Sequence, residues 1–174
     1  MGGVVARFLH KGDVDMNHRN REITGDGSLT AQRESTGRYQ CVADVMTRKT
    51  VTLSPHHGLA DAVSLMADRH FRHIVVVDTG GQVLGVISDR DILRTLARTS
   101  NWQTKDVSQI MTRDPFTVKR ETPLSVAVAK LISKRINCLP VLDDEEKVCG
   151  ILTSTDLLKA YQKVLESLDK NRDS

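Results

Sequence analysis

Two short segments of the chain carry a glycine, a hydroxyl residue and a carboxylate at the same spacing: GVISDRD at residues 85–91 and GILTSTD at residues 150–156. In each segment the hydroxyl residue, Ser88 or Thr153, stands three positions before the final aspartate. A carboxylate can accept hydrogen bonds from two vicinal hydroxyl groups, and a hydroxyl beside a helix N-terminus can reinforce N–H groups that face an anion. The same pattern also describes a turn glycine and a helix cap, which need no ligand. Both interpretations stay open on these residues alone.

The two segments belong to a longer internal repeat with an offset of 65 positions. This offset places VADVMTRKTVTL over VSQIMTRDPFTV, HIVVVD over CLPVLD, and VLGVISDRDIL over VCGILTSTDLL, without a gap. The identical pairs include Met46/Met111, Thr47/Thr112, Arg48/Arg113, Gly85/Gly150 and Asp91/Asp156. A repeat of this length predicts a duplicated structural unit whose two copies pack about a pseudo-twofold axis.

Hydrophobic periodicity predicts the order β-α-β-β-α in each copy. The first copy is expected to contain a strand at 50–53, a helix signalled by Ser54-Pro55 and ending at Arg69, strands at 73–78 and 83–88, and a helix at 89–97. The second is expected to contain a strand at 116–118, a helix at 123–134, strands at 138–142 and 148–153, and a helix from 154 to about 168. The segments 78–81 and 143–146 have the composition of hairpin turns.

The predicted fold class is therefore α+β, with two units packed as an α/β-type sandwich. A unit of about 55 residues leaves one apolar face uncovered, and pairing two units buries those faces. Residues 97–106 between the units are interpreted as a linker, in which Trp102 packs against the core. Residues 1–38 are polar and lack periodicity, which predicts a flexible tail with one short ordered piece at 4–9.

The composition and motifs argue against several classes of function. The net charge of +3 and an aromatic content of 3% argue against a nucleic-acid-binding protein, and no apolar run is long enough to cross a membrane. The first residues make a poor secretory signal, and three cysteines without a CxxC motif favour a reducing compartment, so a cytoplasmic location is expected. A calcium loop at 13–24 fails because His18 replaces the required glycine and Thr24 the closing glutamate. His56-His57 lacks further metal ligands at a suitable spacing, so no metal site is predicted.

The Met-Thr pair at the head of each unit, the segments RHIVVVD and NCLPVLD, and the G-h-x-[S/T]-x-x-D pattern before each last helix resemble paired cystathionine β-synthase (CBS) domains, the Bateman module. The resemblance extends from Val42 to about Tyr161. It implies one domain at 42–100, a second at 107–166, an N-terminal tail at 1–38 and a C-terminal tail at 167–174.

The resemblance further implies that adenine nucleotides or related adenosyl compounds bind in two clefts between the units. Asp91 and Asp156 would accept hydrogen bonds from ribose hydroxyls, while Ser88 and Thr153 would donate to a phosphate. One cleft would combine Ser88, Arg90 and Asp91 with Pro115, Phe116, Ile136, Asn137 and Cys138. The other would combine Thr153, Thr155 and Asp156 with Thr50, Val51, Phe71, Arg72 and His73.

The second of these clefts is expected to be the tighter anionic site. Arg72 and His73 can meet a phosphate, whereas their equivalents Asn137 and Cys138 carry no charge. Apolar contact with adenine would come from Val51 in this cleft and from Phe116 in the other. Gly85 and Gly150 would allow close backbone approach in the strand before each site. The first unit departs from the family pattern at one place, with Val75 where the second has Pro140.

The favoured function is a regulatory binding module that needs no cofactor, senses AMP, ADP or ATP, and signals to a protein partner in trans. S-adenosylmethionine and NAD are alternative ligands. A homodimer is expected through the helices at 58–69 and 123–134. A structural dimer with unoccupied clefts and, less favoured, a nucleic-acid-binding module are the alternatives. An enzyme is not predicted, because the sequence has no G-x-x-x-x-G-K-[ST] loop and no Ser/His/Asp, Cys/His or metal-ligand constellation in a cleft.

Overall fold

Both copies of the repeat fold with the predicted β-α-β-β-α order, in a computed structural model that describes residues 7–8 and 39–172. The strands are β1 (Arg7–Phe8), β2 (Val51–Leu53), β3 (His73–Val77), β4 (Val83–Ser88), β5 (Thr112–Arg113), β6 (Val118–Lys119), β7 (Cys138–Leu142) and β8 (Val148–Thr153). The helices are α1 (Leu59–Arg69), α2 (Asp89–Arg98), α3 (Leu124–Lys134) and α4 (Ser154–Arg172). No helix in this part of the chain is both long and apolar enough to cross a membrane. The rejected calcium loop lies outside the described residues, as does the ordered piece expected at 4–9 except for β1.

The strands form two sheets, ordered β1-β2-β3-β4-β5 and β6-β7-β8. In each unit an antiparallel hairpin (β3–β4 or β7–β8) pairs with one parallel strand (β2 or β6). The turns of both hairpins lie where their composition predicts. Gly81 takes a positive φ of 88° in the first, and Asp143 bonds the N–H groups of Glu145 and Lys147 in the second.

Helix α1 begins at Leu59, within one residue of the predicted 58–69, and the Ser54-Pro55 signal lies ahead of it because Ser54 is held in a turn in which its N–H and hydroxyl both meet Nδ1 of His57, at 3.0 and 2.9 Å. Two predicted boundaries are wrong. The strand expected at 116–118 is shifted to β6, after Asp114 at a φ of 47° and Pro115, which lacks an N–H for strand pairing. Helix α4 continues to Arg172 and so occupies most of the segment 167–174 expected to be a tail.

The first segment of each unit, residues 42–48 in the first copy and 107–113 in the second, packs in the core of the other unit, and we call this segment the head. Val42 and Met46, which open the first copy, belong to a buried cluster with Val118, Leu139 and Leu152 of the second. Val107 and Met111, which open the second copy, are buried among first-copy residues such as Leu53, Ile74 and Ile87. Trp102 of the linker packs against this same cluster, as predicted. The apolar burial that stabilises each unit is therefore completed by the other.

Gly85 and Gly150 make room for these exchanged heads. A Cβ atom at Gly85 would lie 2.8 Å from the carbonyl oxygen of Thr112, and one at Gly150 would lie 2.9 Å from that of Thr47. The close backbone approach expected at the two glycines is thus made by the Met-Thr segment of the opposite unit. Each head contains an equivalent internal hydrogen bond at 3.0 Å: Arg48 donates to the carbonyl of Ala43 in the first, and Arg113 donates to the carbonyl of Ser108 in the second.

The two hairpins pack against each other through a third buried cluster. Val75 and Val86 of the first unit meet Cys138 and Ile151 of the second in this layer. Pro140, the counterpart of Val75, is also fully buried, so the departure from the family pattern places one apolar residue for another inside the molecule.

Candidate ligand-binding clefts

Two clefts lie at equivalent places in the two units, and we name each after its aspartate. The Asp91 cleft has a volume of about 490 Å³. The residues that line it include all eight assigned to it from the sequence: Ser88, Arg90, Asp91, Pro115, Phe116, Ile136, Asn137 and Cys138. The Asp156 cleft is smaller, at about 220 Å³. It likewise includes all eight of its assigned residues: Thr50, Val51, Phe71, Arg72, His73, Thr153, Thr155 and Asp156.

Strand pairing and chain exchange bring these residues together. Ser88 and Thr153 end the strands β4 and β8, beside His73 and Cys138 at the starts of β3 and β7. The residues that follow the exchanged heads, such as Val51 and Phe116, approach from the opposite unit. Each cleft is therefore built from both units, which is why no single copy of the repeat contains a whole site.

One oxygen of each aspartate serves as a helix cap. In α2, Oδ2 of Asp91 accepts the hydroxyl of Ser88 at 2.6 Å and its N–H at 3.0 Å, while the N–H of Asp91 donates to the Ser88 hydroxyl at 3.3 Å. In α4, Asp156 and Thr153 repeat this arrangement in the same order at 2.6, 2.8 and 3.2 Å. The capping interpretation of the repeated motif therefore holds for Oδ2 and leaves Oδ1 for another partner.

The Oδ1 atoms have different partners in the two clefts. Oδ1 of Asp91 accepts from the Arg94 guanidinium, in the same helix, at 3.3 Å. Oδ1 of Asp156 accepts from the hydroxyl of Thr47, in the head of the first unit, at 2.8 Å. Thr47 was not among the predicted site residues. The signal that could have identified it is that the repeat has a threonine at both equivalent positions, Thr47 and Thr112. A ribose hydroxyl that binds either Oδ1 must replace these donors.

The clefts differ in charge. Beside its predicted residues, the Asp156 cleft contains Lys49, His70 and Lys159, and among the described residues Asp156 is the only acid that lines it. The Asp91 cleft contains Arg94 and Arg113 but also two further acids, Asp89 and Asp114. None of these residues was among the predicted site residues, although Lys49 and Arg113 stand out in the sequence as cations that follow the Met-Thr pairs.

Burial keeps two of the predicted residues neutral at neutral pH. Desolvation lowers the pKa of His73 below its ordinary value of 6.5, against an opposing effect of the nearby Asp89 carboxylate. Desolvation raises the pKa of the Cys138 thiol to about 12. His73 therefore offers a neutral imidazole to either cleft, and Arg72 carries the positive charge at this position.

An exposed aromatic ring forms one wall of the Asp91 cleft. Phe116 is 47% exposed, and Nζ of Lys134 lies 4.9 Å from its ring centroid. The equivalent residue in the other cleft, Val51, is half-buried. A flat apolar group could lie against either side chain.

The described part of the chain contains no cluster of three or more His, Cys, Asp or Glu side chains that could hold a metal ion. His56 is exposed, while His57 is engaged by Ser54. Neither histidine lines the two clefts.

Comparison with known proteins identifies similar chains and folds. The family model of the CBS domain matches residues 42–98 and 107–163. L-aspartate semialdehyde sulfurtransferase of Methanocaldococcus jannaschii is 28% identical over 168 residues, which cover 91% of this chain and 32% of that protein. The chain thus spans about a third or less of the length of the curated relatives it matches first.

Two solved structures of similar fold contain adenosyl ligands. The CBS domain pair of protein MJ0100, in complex with 5′-methylthioadenosine and S-adenosyl-L-methionine, is 27% identical with a TM-score of 0.65, over 71% of this chain and 96% of that chain. CBSX2 in complex with AMP, a protein of Arabidopsis thaliana, is 28% identical with a TM-score of 0.63, over 71% and 97%.

Proposed function

Because the chain belongs to the CBS domain family, with two matched units in tandem, we propose that it is a regulatory module that binds an adenine nucleotide or another adenosyl compound between those units. The proposal rests on the convergence of all the predicted residues on two clefts. The adenosyl ligands of the two similar domain pairs support the same ligand class. The activities of the longer relatives are not proposed for this chain.

Each part of an adenosine ligand has a matching group in the clefts. The ribose hydroxyls donate to Oδ1 of Asp91 or Asp156, replacing Arg94 or Thr47. The adenine ring lies against Phe116 in one cleft or Val51 in the other. A phosphate faces the N-terminus of α2 or α4, where the helix dipole favours an anion. AMP, ADP and ATP are the preferred candidates, with S-adenosylmethionine and NAD as alternatives.

The Asp156 cleft is proposed as the tighter site for a phosphorylated ligand. Lys49, Arg72 and Lys159 line it with a single carboxylate, whereas acids offset the arginines of the Asp91 cleft. Asp156→Ala is therefore expected to weaken AMP binding more than Asp91→Ala. The opposite order would overturn this ranking.

Output to a partner in trans requires a surface that binds another chain, and self-association is the proposed first step. Large apolar side chains are exposed on α3 and α4: Val126, Ile132, Leu158, Tyr161, Leu165 and Leu168. Helix α1, which was expected to share the dimer surface with α3, contributes none of the large exposed apolar residues. We therefore place the proposed homodimer contact on α3 and α4, with Ile132→Asp expected to give monomers in sedimentation velocity. Leu93→Asp, on exposed α2, is the matched control and should not change the sedimentation coefficient.

Ligand binding is tested by the thermal stability of the full chain with AMP, ADP, ATP, NAD or S-adenosylmethionine. Binding to the folded state alone adds about 2.7 kcal/mol at a hundredfold excess over Kd. The shift should shrink in Asp91→Ala, Asp156→Ala or both. Asp61→Ala is the control, because Asp61 is a first-turn acid of α1 that lines neither cleft. A chain that shows no shift with any of the five compounds would contradict the proposal and favour a structural dimer with unoccupied clefts.

A further inference from the structure

Three residues line both clefts: Arg72, His73 and Asn137. They stand at the starts of β3 and β7, next to the ends of β4 and β8, where the two units meet. The main chain holds this wall in place, because the carbonyl of Arg72 accepts the N–H of Asp89 and the carbonyl of Asn137 accepts that of Ser154, at 3.0 and 3.1 Å. The first residues of α2 and α4 are thereby hydrogen-bonded to this shared wall.

Of the two equivalent positions in this wall, only one carries a cation. Arg72 in the first unit corresponds to Asn137 in the second, and His73 corresponds to the buried Cys138. Arg72 is exposed, and the described residues offer its side chain no carboxylate within ion-pair distance. One guanidinium can bind one phosphate through two parallel hydrogen bonds, but it cannot do so for two phosphates on opposite sides.

The remaining cations of the two clefts are not equally available to a second phosphate. In the Asp91 cleft, Arg94 bonds Asp91 and Arg113 bonds the carbonyl of Ser108, which leaves Arg90 and Arg72 to meet a phosphate. Asp89 and Asp114 add two negative charges to the same cleft and offset Arg90. A phosphate there therefore draws on Arg72, which the Asp156 cleft also uses.

From this shared wall we infer that the two clefts do not fill independently: a phosphorylated adenosine in one cleft lowers the affinity of the other for a second. This inference rests on the proposed function, and it adds that occupancy is coupled through Arg72. Adenosine, which has no phosphate, fills both clefts without this effect. The protein would then hold one tightly bound nucleotide per chain over a wide range of concentration.

A thermodynamic cycle measures this coupling without assuming which cleft fills first. Calorimetric titration of the full chain gives two association constants for AMP, and Asp91→Asn and Asp156→Asn each leave one working cleft. For independent clefts, the product of the two wild-type constants equals the product of the constants of the two variants. Coupling predicts that the wild-type product is at least about tenfold smaller for AMP. With adenosine the two products are expected to be equal.

Asn137→Arg provides a second measurement, because it adds a guanidinium to the side of the wall that lacks one. The exposed position of Asn137 leaves the core untouched. In Asn137→Arg the second association constant for AMP should be at least about tenfold larger than in the wild type. Asn101→Arg adds the same charge at an exposed position outside both clefts and should leave the second constant unchanged.

The results separate this inference from the function on which it depends. If AMP binds both clefts and the two products are equal, the coupling is overturned while the proposed function stands. If Asn137→Arg and Asn101→Arg have the same effect, the role of the wall is overturned in favour of general charge. If no adenosyl compound binds, both proposals fail together.

Discussion

At the scale of single residues, the repeated Ser/Thr and Asp motif performs two tasks with two oxygens. Oδ2 of each aspartate caps a helix, and Oδ1 is held by a donor that differs between the clefts. Thr47 crosses from the first unit to Asp156, while Arg94 reaches Asp91 within one helix. The motif is duplicated, but the donors that compete with a ligand are not.

Replacing Thr47 with Val removes the competing donor while keeping the side-chain shape. We expect ligand affinity in the Asp156 cleft to rise a few-fold, since ribose no longer displaces a hydrogen bond, and stability to fall by about 1 kcal/mol. Thr112→Val is the matched control, because Thr112 is the repeat equivalent and no bond joins it to Asp91 in the structure. Calorimetry and urea denaturation measure the two effects. Equal changes in both variants would show that the Thr47–Asp156 bond does not compete with ligand.

His73 predicts how stability depends on pH. Its pKa is lowered in the folded protein, so the unfolded chain binds the proton more readily between that lowered pKa and the ordinary 6.5. The contribution of the neutral imidazole to stability is complete above about pH 6.5 and is lost as the pH falls through this window. Urea denaturation of the wild type and His73→Gln from about pH 8 to about pH 5 measures the difference. The wild type should lose stability relative to the variant on acidification; a constant difference would contradict the prediction.

At the scale of elements, the head segments decide how the units combine. Each head lies in the core of the other unit and passes over the glycine in that unit's last strand. The glycines therefore serve the joining of the units, whereas the sequence suggested only an unspecified close approach. The clefts lie beside these crossings, so ligand binding and unit packing involve the same segments.

Gly85→Ala should destabilise the protein by roughly 1–3 kcal/mol. The new methyl group would meet the Thr112 carbonyl at 2.8 Å, and backbone atoms cannot move aside as a flexible side chain can. Gly58→Ala is the control, because its Cβ would make an ordinary 3.5 Å contact with Asp61. Thermal denaturation compares the two. If Gly58→Ala costs as much as Gly85→Ala, the close crossing is not the cause.

At the scale of the whole molecule, exchange of the heads makes the two units one cooperative structure. The first core lacks Val107 and Met111 without the second copy, and the second lacks Val42 and Met46 without the first. The layer between the hairpins adds a buried contact that belongs to both. Neither unit is complete alone, although the repeat looks like two domains.

This organisation predicts a single unfolding transition for the full chain. Trp102 packs against the first core and reports on it by fluorescence, while far-UV circular dichroism reports on both units. The two signals should give the same urea midpoint, as for a two-state protein. A fluorescence transition separated from the dichroism transition would indicate independent units and contradict the exchange of heads.

By itself the sequence determined the β-α-β-β-α order and the duplication, because hydrophobic periodicity and repeated motifs are local properties. The two residue sets of the clefts followed from the resemblance of these motifs to paired CBS domains. The sequence placed the strand before α3 wrongly, where the Asp114–Pro115 corner overrides propensity, and it ended α4 too early. Only the tertiary structure decided that the heads exchange, that Thr47 holds Asp156, and that Arg72 lines both clefts. These contacts join residues far apart in the chain, and the packing of two units selects them rather than any pattern within one.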